Sequence, residues 1–383
     1  MSSEQAKKRD RNRYTILSAI QSQGPLKRTE LATKYSIRKS SVTSLVDELI
    51  TREILCNKIA ERPRSPMTFT SGKWFAVAVS VFVEEIHFGR IDLTGKIYDK
   101  LTLPLKGESQ KELLEIISDG IGRMLKINPS RSLGIGIAVP GIVNSNDGIC
   151  NYAINMPQLR DAKIGAYIKS KFNQSVMVEN DVRASLWAGI WFERFLSNYR
   201  NVIYLDITSG ISSALLVNGQ RHVGATFSAG ELGHMKAGDE NRSCRCGKVD
   251  CLETYCSIEA ICRDIHAIAP ELGNLKSAVD IVDAAKDNVV VMNVLDRAME
   301  RLCRLLSVLV AYVDPDVILL GNQDPRFYEL VLPMLKKHLL TQLQGCSSGE
   351  VDMHIVPSAM DSALRGVAGL VIDNAFKFNF HAE

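Results

Sequence analysis

Apolar positions in the first 50 residues recur at helical spacing and fall into three short pieces. Tyr14, Ile16, Leu17 and Ile20 mark one helix, which Gly24-Pro25 ends. Leu31, Ala32 and Tyr35 line a second, with Thr29 as its expected cap. Val42, Leu45, Val46 and Leu49 line a third over Arg38 to Glu53. Three short helices with a brief turn before the third predict a helix-turn-helix. Ile54 to Ile59 then predicts a strand, and Glu61-Arg62-Pro63-Arg64-Ser65-Pro66 a basic loop that two prolines hold extended, a wing.

After Ser71-Gly72 the period shortens. Trp74–Phe82, Glu85–Asp92 and Lys96–Leu103 predict three successive strands, Lys111–Lys126 an amphipathic helix, and Leu133–Val139 a buried strand stopped by Pro140-Gly141. Ser175–Val178 predicts a further strand. Asn201–Asp206 starts the same design again, with a hairpin turn at Asn218-Gly219. Long helices run on to Val313, Val317–Leu320 predicts one more strand, and Ser362–Asp373 a last helix. Strands alternating with helices imply α/β layers, and two such sets imply two similar lobes. The expected division is a winged helix-turn-helix over 1–70 and an α/β body over 71–383, with lobes of about 71–195 and 196–383.

Charge sharpens this division. Residues 1–66 hold 14 Lys and Arg against 7 Asp and Glu, a net of +7, while the whole 383-residue chain carries only +3. A basic head on a mildly acidic body suits a polyanion, and the expected partner is operator DNA. The outer face of the third helix shows Arg38, Lys39, Ser40, Ser41, Thr43 and Ser44, which a major groove can accept, and Arg62 and Arg64 of the wing can enter a minor groove. Ser36 stands in the turn where glycine is often found. No stretch nears the roughly 20 apolar residues of a membrane helix and the first residues lack a signal-peptide core, so the expected location is the cytoplasm.

Of nine cysteines, Cys244, Cys246 and Cys251 cluster, and His234 precedes them. Three thiolates and one imidazole within 18 residues offer Zn²⁺ a closed tetrahedral shell, so the expected cofactor is a structural zinc. Asn180-Asp181 ends a strand where α/β folds place ligands, although the same pair is an ordinary helix cap. With Glu231, His234 and Glu253 it offers donors and acceptors that can fork around vicinal hydroxyls.

On Pro140-Gly141, Glu179-Asn180-Asp181, Ala229-Gly230-Glu231-Leu232-Gly233-His234, Cys244-Arg245-Cys246-Gly247, Cys251-Leu252-Glu253, Asp316–Gly321 and Ala363–Gly369, the chain resembles the ROK family of bacterial repressors, open reading frames and sugar kinases. The resemblance spans essentially the whole chain and is greatest to the repressors, which carry the helix-turn-helix. It implies an actin/hexokinase-like body with a sugar in the interlobe cleft, contacted by Asn180, Asp181, Glu231, His234, Glu253 and the backbone of Gly141. In kinase members the aspartate at position 181 would be the general base.

The chain departs from the kinase pattern at both phosphate loops. An Asp-Gly-Gly-Thr turn is replaced by Ala78-Val79-Ser80-Val81-Phe82-Val83-Glu84, and a glycine-rich second loop by Thr208-Ser209-Gly210-Ile211-Ser212-Ser213-Ala214. Gly321-Asn322 stands where an adenosine-side Gly-Gly would. Phosphoryl transfer rests on positioning and neutralising phosphates, so the expectation is a non-enzymatic, sugar-gated homodimeric (or dimer-of-dimers) repressor of carbohydrate uptake or catabolism genes. The alternatives are an ATP-dependent sugar kinase with a fused DNA-binding domain, and a repressor gated by a transport-protein partner.

Overall fold

The computed structural model describes residues 3–59, 62, 65–193, 199–321, 324–345, 350–356 and 361–378. Glu61, Pro63 and Arg64 of the wing, the lobe boundary at 195, Asn322 and Cys346 lie outside the described residues. The chain forms two compact units, Met1–Asn198 with Ala363–Glu383, and Tyr199–Ser362.

The first unit opens with helices α1 (Ser3–Gln23), α2 (Arg28–Lys34) and α3 (Lys39–Thr51) and the antiparallel pair β1 (Leu55–Asn57) and β2 (Met67–Phe69). This is the expected winged helix-turn-helix. The helix starts differ, for tertiary reasons. α1 begins 11 residues before Tyr14, because its polar first half has partners: Arg9 and Arg13 both pair with Glu48 of α3. Thr29 is not the cap of α2. Leu26 pairs with Met67 of β2, which pins the chain so that Lys27 takes the cap position. Ser36 sits at φ 52° in the turn before α3, the left-handed region that glycine tolerates best.

A five-stranded sheet follows, in spatial order β5-β4-β3-β6-β9. Strands β3 (Phe75–Val81), β4 (Glu85–Asp92) and β5 (Ile97–Pro104) run antiparallel, and β6 (Ser132–Val139) and β9 (Val176–Asn180) add in parallel beside β3. Between them lie α4 (Gln110–Leu125), the ribbon of β7 (Ile142–Asn144) and β8 (Ile149–Tyr152), and α5 (Ile164–Phe172). Then α6 (Asp181–Phe192) leaves the end of β9. Along β3 the period of two is plain: Phe75, Val77, Val79 and Val81 enter one core with α4, while Ala76 and Ala78 enter another.

The second unit repeats the design in the order β12-β11-β10-β13-β14. Strands β10 (Val202–Ile207), β11 (Ile211–Val217) and β12 (Gln220–His222) are antiparallel, and β13 (Val317–Gly321) and β14 (Met353–Ile355) join in parallel. Its core is filled from α7 (Glu253–Cys256), α8 (Ile258–Ile268), α9 (Ala278–Ala285), the 25-residue α10 (Val289–Val313) and α11 (Pro325–Gln342).

The last helix departs from the expected second lobe of 196–383. Helix α12 (Ser362–Phe378) returns to the first unit. Leu364, Val367, Ala368, Val371, Ile372 and Phe376 share one buried cluster with Ile16, Leu17, Leu45 and Leu49 of the helix-turn-helix and with Ala76 and Ala78 of β3. Small residues let it approach: a side chain at Gly136 of β6 would strike the Val367 carbonyl. The DNA-binding head is thus built onto the first unit. Phe376 stacks on Phe69 of β2 at 5.5 Å, and the Tyr14 hydroxyl donates to Asp373 at 3.2 Å.

Candidate functional site

Helix α3 turns Val42, Leu45, Val46 and Leu49 inward, all buried. By the same period Arg38, Lys39, Ser40, Thr43 and Ser44 are exposed and Ser41 is half-buried. Its first turn holds no acidic residue, so its N-terminal N–H groups and the two basic side chains present one sign of potential. Arg62 is exposed on the wing.

In the first unit, β9 delivers Glu179, Asn180 and Asp181 to the start of α6. Asn180 caps that helix, its Oδ1 accepting from the N–H groups of Val182 and Arg183 at 3.0 Å each. Its Nδ2 donates to the Gly141 carbonyl and to Asp181 Oδ1, both at 3.0 Å. Two donors and two acceptor positions are all used inside the protein, so Asn180 fixes Gly141 and Asp181 relative to one another. Gly141 lies at φ 91°, and a Cβ there would come within 2.2 Å of the Tyr152 carbonyl. Beneath this cluster Glu179, 1% exposed, pairs with Arg183 at 2.8 Å, and Arg183 also donates to the Val143 carbonyl at 2.9 Å. Arg183 escaped sequence reasoning, although its i+4 spacing from Glu179 is the signal that finds it.

In the second unit the Gly230-Glu231-Leu232-Gly233-His234 segment lies against β11. A Cβ on Gly230 would fall 2.2 Å from the Ser213 carbonyl and one on Gly233 2.0 Å from that of Ile211, so only glycine admits the contact. The segment holds His234 with Nδ1 3.7 Å from Cys244 Sγ and Nε2 3.9 Å from Glu231 Oε2. Cys246 and Cys251 sulfurs are 3.6 Å apart, and the ligand atoms of His234, Cys244, Cys246 and Cys251 all lie within 4.8 Å of one another. Tetrahedral bonds of about 2.3 Å to sulfur and 2.0 Å to nitrogen set such atoms roughly 3.5–3.8 Å apart, so the four fit a small four-coordinate cation. Burial pushes Cys251 up to about 12 and raises Cys244. At Cys246 burial also raises the thiol, but hydrogen bonds from the Lys248 N–H and from Cys244 and Cys251 outweigh it and leave it below its ordinary value. A divalent cation would favour the thiolates of all three.

The loop between these ligands has a second support that sequence spacing did not reveal. Asp250, 2% exposed, accepts from the N–H groups of Glu240, Asn241 and Arg242 at 3.0–3.1 Å and from the Tyr255 hydroxyl at 2.5 Å. Those bonds, the Tyr255 hydroxyl first, hold its carboxyl below the usual range. The guanidinium groups of Arg242 and Arg301 both lie over the Tyr255 ring, at 4.2 and 4.1 Å from its centroid. Glu253, at the start of α7, places Oε2 only 2.6 Å from where a Cβ on Gly210 would stand. The one glycine kept in the β10–β11 turn therefore makes room for a carboxylate.

Gly141, Asn180 and Asp181 thus form one group in the first unit, and Glu231, His234 and Glu253 belong to the second. Among the described residues no helix is long and apolar enough to cross a membrane.

A family model described as ROK family matches residues 76–374. The xylose repressor of Bacillus spizizenii (strain ATCC 23059 / NRRL B-14472 / W23) is 25% identical over 375 residues, 95% of this chain and 95% of its own length. A glucokinase of Thermotoga maritima is 22% identical over 298 residues, 74% of this chain and 92% of its own. A crystal structure described as a ROK family transcriptional regulator, homolog of the Escherichia coli Mlc protein, superposes with a TM-score of 0.78 at 21% identity over 96% of both chains, which shows the shared fold.

Proposed function

This chain belongs to the ROK family, and from that premise we propose that it is a sugar-responsive DNA-binding repressor of carbohydrate uptake or catabolism genes, acting as a cytoplasmic homodimer. The observation that carries this reading is the helix-turn-helix fused to the family body. The xylose repressor is similar over 95% of the chain, the glucokinase over only 74%. DNA is met by Arg38, Lys39, Ser40, Ser41, Thr43 and Ser44, with Arg62 and Arg64 from the wing. The sugar is met by Gly141 and Asp181, positioned by Asn180, and by Glu231, His234 and Glu253. Direct contact from Asn180 requires exchange of one of its four internal bonds.

His234, Cys244, Cys246 and Cys251 are assigned to a structural zinc, which, when bound, closes a four-coordinate shell and leaves no position for a substrate. His234 then spends Nδ1 in the cluster and keeps Nε2 for Glu231 and the sugar.

The chain is not a kinase on this reading. The β3–β4 turn is Phe82-Val83-Glu84, with the Phe82 ring against His87 at 4.9 Å, and Gly210 is taken up by Glu253. Neither turn carries the glycine-rich pattern that lets backbone N–H groups approach phosphate closely, which supports this reading. The test is a fluorescence-anisotropy titration of DNA from the chain's own promoter region against a sugar panel, xylose first because the relatives carry its name. One sugar should weaken DNA binding about 5–150-fold, and a coupled assay with ATP and Mg²⁺ should stay at background. ATP-dependent turnover of any sugar, abolished by Asp181→Asn, would establish the kinase instead.

A further inference from the structure

Helix α10 is buried along most of its length, but its C-terminal half shows a second apolar stripe. Leu305, Val308, Leu309 and Tyr312 follow one another at i, i+3, i+4 and i+7, the spacing of a helix face that packs. Leu305 and Leu309 are half-buried, Val308 is 41% exposed and Tyr312 is 87% exposed, and Ala311 beside them is exposed too. An almost fully exposed tyrosine next to exposed valine and alanine on a regular helix is a patch that water alone does not favour.

The charges around the stripe say what covers it. Immediately before it, one turn ahead of Val308, stands Arg304, half-exposed and held at 2.6 Å by Glu300 of its own helix. Just after it comes Asp314, exposed, in the left-handed conformation that ends α10, with no side-chain partner among the described residues. A two-fold axis through Val308 turns the stripe onto itself with the two helices antiparallel. Val308 then meets Val308 of the second copy and Leu305 meets Ala311. Arg304 falls on Tyr312, where a guanidinium can lie over the ring, and comes within reach of Asp314. The match is reciprocal, as an isologous contact demands, and antiparallel helices oppose their dipoles favourably. A basic group before an apolar centre and an acidic group after it is self-complementary only in this arrangement.

We propose that α10 pairs with α10 of a second copy through Leu305, Val308, Leu309 and Tyr312, with Arg304 and Asp314 fixing the register. This names the surface for the homodimer proposed above and rests on that reading.

Sedimentation velocity on the full chain tests it. Wild type should be a dimer, and Val308→Asp should weaken association by at least about a hundredfold while zinc content and thermal midpoint stay at wild-type values, because the position faces outward. Arg304→Glu and Asp314→Arg should each weaken the dimer, and the two together should restore it. Val308→Cys should form a disulfide-linked dimer under mild oxidation, whereas Val289→Cys, 73% exposed at the far end of the helix, should not. A wild-type dimer that Val308→Asp leaves as tight as before overturns the α10 interface while the homodimer stands. A wild-type monomer overturns both. A dimer in which the thiol introduced by Val308→Cys stays free and reactive assigns the stripe to a different protein and also overturns the proposal.

Discussion

Glu179 and Arg183 sit under the proposed sugar-binding group, where both are almost fully withdrawn from water. Glu179→Gln leaves a buried guanidinium without its counter-charge, which costs about 3–5 kcal/mol. Replacing both, with Glu179→Leu and Arg183→Met, removes the orphaned charge and should recover much of that loss. Denaturant unfolding measures both, and equal losses in single and double variants would show that the pair matters through packing rather than charge. The Asn-Asp sequence announced a cap or a ligand, and the side chain of Asn180 performs the cap while bracing Asp181. The identity of the residues was legible, but the allotment of four hydrogen bonds was not, because one goes to Gly141, 39 positions away, which the β6–β9 pairing brings close.

At the scale of elements, α6 runs from Asp181, in the proposed sugar-binding group, to Trp191 beside the DNA-binding head. Trp191 packs near Phe376 of α12 at 5.9 Å, and its carbonyl accepts from Gln21 of α1. Because α6 is a stiff rod with both ends engaged, a shift at Asp181 moves the contact at α1 as well. Phe376→Ala opens a cavity in this junction and should cost about 3–5 kcal/mol. It should also shrink the sugar-induced change in DNA affinity while leaving sugar binding itself intact. Anisotropy titrations with and without saturating sugar read this. An undiminished sugar effect in a folded Phe376→Ala protein would remove α12 and α6 from the route.

For the whole molecule, zinc removal and site linkage give two expectations. Because Asp250, Tyr255 and Arg301 also brace the cysteine loop, chelation should leave far-ultraviolet circular dichroism close to native while abolishing the sugar response. Purified protein with well under one zinc per chain and a normal sugar response would refute the assigned role of the metal. If sugar and operator are coupled, each must weaken the other by the same factor, about 5–150-fold. Equal sugar affinities with and without operator would mean that the sugar site is not the switch, and would bring the transport-protein reading forward.

Local order was written in the sequence. The helical period of the first three helices, the first strands of each unit and the four candidate metal ligands within 18 residues depend on neighbours a few positions apart, whereas the short β7, β8 and β14 carry no such signal. The ligands are close in space because they are close in sequence. Tertiary structure decided what has no local signature. The return of α12 to the first unit joins Asp373 to Tyr14 across 359 positions, and neither residue's neighbours predict it. Gly210 reads as the remnant of a phosphate loop until Glu253 is seen to fill its space. The apolar period of α10 marks faces to bury without saying whether the chain itself covers them, and Val308 and Tyr312 are left exposed. Patterns fix which surfaces must be buried, but the packing of distant elements determines against what, because contact energy depends on proximity in space.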